Sequence, residues 1–116
     1  MKVFIHHIYE YQKGLRNLIL HTAPIDYQEQ IKAKLERNKI AYHIEQINSS
    51  KINVFFGAPE CVAVVKEINK KFLNEYTPEE DFILGTMLGY DRKLQCSRFL
   101  KFKKQEQNRL TLVANS

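Results

Sequence analysis

The tetrapeptide Thr77-Pro78-Glu79-Glu80 places the start of a helix more tightly than any other stretch of this chain constrains its fold. Thr77 fits the N-cap, where a hydroxyl oxygen accepts from a free amide of the first turn. Pro78 suits the first helical position, whose N–H has no intrahelical partner in any case. Glu80 occupies the reciprocal site of a capping box, reaching back to the amide of residue 77. The helix that follows carries Phe82, Ile83, Met87 and Tyr90. Gly89 can end it, and Asp91 can cap a further helix containing Leu94, Phe99 and Leu100; one bent helix is the alternative.

Upstream of that start the signals alternate between strand and helix. Residues 2–9 are rich in β-formers (Val3, Phe4, Ile5, Ile8, Tyr9) and predict a strand. Gln12-Lys13-Gly14 reads as a turn, and Leu15–His21 as a second strand closing an antiparallel hairpin. Thr22 and Pro24 then suit the cap and first turn of a helix whose stripe is Tyr27, Ile31 and Leu35, ending near Asn38. Residues 40–47 and 52–56 predict a second hairpin around Asn48-Ser49-Ser50, with Ile52, Val54 and Phe56 on one face. Gly57-Ala58-Pro59 closes that strand and opens a helix with Cys61, Val64, Val65, Ile68 and Phe72 at core spacing.

The order ββαββα, followed by one or two C-terminal helices, predicts an α+β domain. Its sheet is expected to be four-stranded and mainly antiparallel, with the helices packed on one face. At 116 residues the chain is one domain's worth, expected to span residues 1–104. Residues 105–116 are expected to form a loose basic tail, with Leu110–Val113 able to add a short strand. A chain of this length buries roughly two-thirds of its unfolded surface and needs no disulfide or metal to fold.

Charge is uneven along the chain. The formal net charge is +5, and residues 91–116 alone carry Arg92, Lys93, Arg98, Lys101, Lys103, Lys104 and Arg109 against two acidic groups. Such a segment attracts polyanions, or else is a solvated helix face. There are two cysteines, Cys61 and Cys96, and no CxxC pattern. His6, His7 and Glu10 interrupt the apolar stretch a signal peptide needs, and no run reaches the ~20 apolar residues of a membrane span. A cytoplasmic protein with reduced cysteines is expected, with no membrane association.

Three stretches, KVFIHHIYEYQKGLRNLILHT, KINVFFGAPECV and TPEEDFILGTMLGYDRKLQC, resemble a family of small bacterial proteins catalogued as a domain of unknown function. The resemblance covers residues 2–100 and is most specific in the last stretch. It implies a compact cytoplasmic α+β protein and carries over no catalytic residue. Association of such proteins with flavodoxins, as neighbours or fusions, implies an acidic redox protein as a partner.

Candidate chemistry is sparse. His6, His21 and His43 could converge on one sheet face as a zinc or iron site, but they show no metal-ligand spacing, and adjacent His6 and His7 would point to opposite faces. Cys61 lies near a predicted helix start, which lowers a thiol pKa, while neighbouring Glu60 raises it and the apolar stripe makes it a core residue. Glu79, Glu80 and Asp81 are accounted for by capping and the helix dipole. Gly85 and Gly89 spell GxxxG, which in a water-soluble helix signals a close helix contact. Tyr90, Asp91 and Arg92 at a helix junction suit a ligand, an interface or simply a cap. Phe102 among the basic residues could stack on a base. No catalytic constellation, metal site or cofactor is spelled. The expectation is a small non-enzymatic binding protein. Arg92, Lys93, Arg98, Lys101, Lys103 and Lys104 would meet an acidic protein, with nucleic acid as the alternative target and a homodimer as the default assembly. A small metal or thiol enzyme is the third reading.

Overall fold

A computed structural model describes residues 1–114. Its elements are α1 (Lys2–Gln12), β1 (Leu18–Pro24), α2 (Gln28–Arg37), β2 (Ala41–Gln46), β3 (Lys51–Gly57), α3 (Pro59–Ile68), α4 (Pro78–Met87) and α5 (Arg92–Ala114). Short 3-10 turns occupy Ile25–Tyr27 and Leu73–Glu75. The class is α+β, with a three-stranded antiparallel sheet in the order β1-β3-β2.

The expected fourth strand is a helix. Phe4 and Ile8 are buried in α1 and Tyr11 packs beside them, an i, i+4, i+7 stripe, while Val3, Ile5 and Tyr9 remain exposed. β-rich composition suggested an alternating segment, but burial follows the 3.6-residue period. The Phe4 ring meets Phe56 of β3 edge-on at 5.5 Å, which docks α1 on the sheet. Gly14, at φ +75°, makes the expected turn, but it joins a helix to a strand, so there is no first hairpin. Thr22 belongs to β1 rather than to a helix cap, while Pro24 ends β1 and stands as the N-cap of the 3-10 turn Ile25–Tyr27 that leads into α2.

The helices cover both faces of the sheet, not one. On the first face Ile52, Val54 and Phe56 of β3 pack with Ile19, Ala23, Phe4, Ile8, Ile31 and Leu35. On the second, Phe55 packs with Leu18, Val62, Val65, Leu84 and Leu88. The central strand is thus buried on both sides except at Lys51. Its one buried polar residue, Asn53, accepts a 2.7 Å hydrogen bond from Thr22, its cross-strand neighbour.

The β2–β3 hairpin forms where expected because Asn48 folds its side chain back: Oδ1 accepts from the amides of Ser50 and Lys51 at 2.8 and 2.9 Å. α3 buries Val62 and Val65 and leaves Val64 on the surface. It stops at Ile68, with Asn69 left-handed at φ +49°, so Phe72 falls outside the stripe. At α4 the capping box is complete: Thr77 Oγ1 accepts from the Glu80 amide at 3.1 Å, and Glu80 Oε1 accepts from the Thr77 amide at 2.9 Å. Gly89 (φ +80°) separates α4 from α5, and Asp91 Oδ1 accepts from the Lys93 amide at 2.8 Å to cap α5. The segment expected to be loose continues α5 through Ala114, exposed along most of its length, and Leu110–Val113 is helical. Residues 115 and 116 of that segment lie outside the described residues.

Candidate functional site: the α4–α5 pair and its basic face

α5 is held against α4 by a ladder of contacts, each set by helical spacing. Nearest the junction, Gly85 leaves room for the carboxamide of Gln95: a Cβ on residue 85 would stand 2.0 Å from Gln95 Oε1. One turn on, the Phe82 and Phe99 rings meet edge to face at 5.6 Å. Arg98 forms a fork with Asp81, Nε to Oδ2 at 2.8 Å and Nη2 to Oδ1 at 3.0 Å, and its guanidinium lies 4.5 Å from the Phe102 ring centre. Farthest out, Lys103 donates to Glu79 at 2.9 Å and approaches Glu106 at 3.7 Å.

These pairs account for the acidic cluster at the α4 start. Hydrogen bonding by Lys103 holds the Glu79 carboxyl below its usual pKa, and Lys70 with the Thr77 amide does the same for Glu80. The partners shift the other way, Arg98 raised by Asp81 and Lys103 raised by Glu79.

The six basic residues singled out in the sequence therefore divide into two sets. Arg98 and Lys103 are fastened to α4. Arg92, Lys93, Lys101 and Lys104 are exposed, and among the described residues none of them forms an ion pair. Lys93, Lys101 and Lys104 fall on one stripe by helical spacing, turned away from the side that holds Gln95, Phe99 and Glu106.

Two cavities open beside the pair. One of 300 Å³ lies between β1, α4 and α5, and a more open groove of 590 Å³ continues toward Arg109. They share Leu73, Tyr76, Asp81 and Arg98. Sequence reasoning missed both, and it missed Gln95, which is buried with Oε1 lacking a hydrogen-bond partner among the described residues. The GxxxG spacing did flag the close contact at Gly85; the residue seated there depends on how α5 folds back.

The remaining candidates do not assemble. His7 and His21 are neighbours, ring centres 5.6 Å apart, and burial followed by the His7 charge lowers the His21 pKa. His6 is exposed on α1, stacked on Tyr9. His43 lies on the opposite sheet face and bonds Glu45 at 2.9 Å. Among the described residues no group of three or more metal-ligating side chains forms. Cys61 is half-buried, and burial, then Glu60, pushes its thiol pKa up. Cys96 is exposed, and neither cysteine is in a disulfide. Tyr90 is exposed, and Asp91 is occupied as the cap of α5. Among the described residues no helix is long and apolar enough to cross a membrane.

No curated protein matches the chain. Residues 2–102 match the model of a family described as "Protein of unknown function (DUF2023)". That span takes in every element from α1 to the anchored part of α5, and the chain belongs to this family.

Proposed function

We propose that the protein is a small non-enzymatic binding protein that presents the outward face of α5 to an acidic protein, and that it works as a two-fold dimer. The observation that carries this reading is the division of basic residues just described. Arg98 and Lys103 fasten α5 to α4, so Lys93, Lys101 and Lys104 stand in a fixed row without ion-pair partners among the described residues. A pre-set row of positive charge steers an acidic partner and fixes its register, and it does so at little ordering cost. Nucleic acid fits the row less well. Phe102, the aromatic expected to stack on bases, is half-buried under the Arg98 guanidinium, which leaves charge without a stacking platform.

The test uses an FMN-loaded flavodoxin as the acidic redox probe and a short DNA duplex as the competitor, each titrated by calorimetry at low and high salt. Binding to flavodoxin that weakens with salt and is lost in the Lys93→Glu/Lys101→Glu/Lys104→Glu variant supports the reading. Unchanged binding by that variant overturns the assignment of the face. Preference for the duplex, with a log–log salt slope of about −0.9 per phosphate contacted, moves the function to nucleic acid.

A further inference from the structure

The sheet has two edges, and they are not alike. β1 ends on Pro24, which has no N–H to offer a neighbour. β2 runs AYHIEQ from Ala41 to Gln46 with no proline, glycine or lysine. It pairs one-to-one with β3 over its whole length, with no bulge. Proteins commonly blunt a free edge with a proline, a bulge or charged side chains, lysine above all; β2 has no proline, bulge or lysine, and its one charged residue is Glu45.

The hydrogen-bond phase of that edge follows from the hairpin. The Ile47 amide donates to the Lys51 carbonyl at 2.9 Å, so the pair 47–51 is of the hydrogen-bonded kind. Antiparallel pairs alternate in kind. Glu45, His43 and Ala41 therefore point their main-chain groups at β3. Tyr42, Ile44 and Gln46 point theirs outward.

We infer that the β2 edge is the interface with a second copy of this chain, the two β2 strands pairing antiparallel about a two-fold axis at Ile44. This deepens the dimer part of the reading above and rests on it. The register is dictated by the outward groups. Only pairing centred on Ile44 matches Ile44 with Ile44 of the second copy, and Tyr42 with Gln46 in both directions. Every outward N–H and C=O of these residues is then used. The same register sets His43 opposite Glu45 of the second copy, and Glu45 opposite its His43. These are non-hydrogen-bonded pairs, where side chains approach most closely. Within one chain His43 already meets Glu45 Oε1 at 2.9 Å. The two-fold axis brings a second His43–Glu45 pair alongside, so each imidazole lies next to a carboxylate of either copy as a hydrogen-bond acceptor. On the other sheet face Ile44, half-buried against the core with Tyr42, meets its own copy and continues the apolar layer. An edge that is complementary to itself in main-chain hydrogen bonds, in its His43–Glu45 side-chain pairing and in apolar contact fits a second copy better than an unrelated strand.

Sedimentation equilibrium over a range of concentrations, with amide hydrogen exchange on the same samples, tests this. The expected result is a dimer in which the Tyr42, Ile44 and Gln46 amides exchange on the order of tenfold slower than after dilution to monomer. Gln46→Pro deletes one outward donor without touching the β3 ladder. It should give a folded monomer, shown by an unchanged circular dichroism spectrum. A dimer whose three amides exchange freely overturns the edge interface and leaves the dimer standing. A monomer at every concentration removes both. Protection of these amides that appears only on adding another protein assigns the edge to a foreign strand and overturns the inference.

Discussion

Gly57 ends β3 at φ +147°, and a Cβ built there stands 2.3 Å from the Asn17 carbonyl oxygen and 3.1 Å from the Leu18 Cα. Both neighbours are backbone, so no side-chain rotation relieves the clash. The same Asn17 oxygen accepts the Ala58 amide at 2.8 Å, and that bond tethers the start of β1 to the end of β3. Gly57→Ala therefore carries two costs. Holding a non-glycine residue in this backbone region costs about 1–3 kcal/mol. Forcing the strands apart costs about 1–3 kcal/mol more. A loss of about 4 kcal/mol is a large share of the ~5–15 kcal/mol that stabilises a typical domain. At ~4 °C per kcal/mol it lowers Tm by about 15 °C. Gly14→Ala is the control, because Gly14 also has positive φ (+75°) but meets nothing within 4 Å; it should lose only about 1–2 kcal/mol. Urea unfolding followed by circular dichroism and tyrosine emission suits a chain with six tyrosines and no tryptophan. If Gly57→Ala costs no more than Gly14→Ala at equal m-value, the steric argument is wrong.

Phe4→Ala should cost about 3–5 kcal/mol and Val3→Ala within about 0.5 kcal/mol, since Phe4 is fully buried and Val3 is 61% exposed; comparable losses in urea unfolding would mean the N-terminal segment is buried on both faces, as a strand is. At neutral pH iodoacetamide should label exposed Cys96 before Cys61, whose thiol pKa burial and Glu60 push up; peptide mass spectrometry showing Cys61 labelled first would refute this. The Tyr42 hydroxyl donates to Glu36 Oε1 at 2.6 Å, and its pKa is pushed up to about 12. An unfolded tyrosine ionises near ~10, so the stability from this bond is complete below pH ~10 and is lost as pH rises through ~12. Burial, then the Glu80 and Glu45 charges, also raise the Tyr76 hydroxyl, so phenolate absorbance should show the late-titrating tyrosines of the native protein reduced by one in Tyr42→Phe.

The parts of the fold that were legible are those where one local signal suffices. The capping box of Thr77 and Glu80, the left-handed Gly14 and Gly89, the Asp91 cap and the Asn48 turn each act within a few residues. Where two periods compete, local reading fails. In α1 the residues Val3, Ile5 and Tyr9 are good β-formers that the fold leaves exposed, and only the burial of Phe4 and Ile8 reveals the helix. In α3 the expected stripe holds at Cys61 and Val65 but takes Val64 where the fold buries Val62, because both valines stand at helical spacing from neighbouring core positions. The distal half of α5 has no buried residue and so no stripe to read. The site is harder still. That Arg98 and Lys103 are fastened while Lys101 and Lys104 are not depends on partners 17 and 24 residues away.

The strand order β1-β3-β2 also prescribes how the chain assembles. β2 and β3 are joined by residues 47–50 and can pair from local contacts, on the timescale of a hairpin. β1 pairs only with β3, and Pro24 meets Lys51 across an excursion that includes α2 and β2. Closing that long loop carries most of the entropic barrier, so β1 docks after the hairpin exists. Until it does, the inner edge of β3, with the amides of Ile52, Val54 and Phe56, stands unpaired. Destabilising changes in the hairpin therefore slow folding, whereas those in β1 chiefly hasten unfolding. The strand most completely enclosed in the finished protein is, during folding, the one most exposed to pairing with the wrong chain.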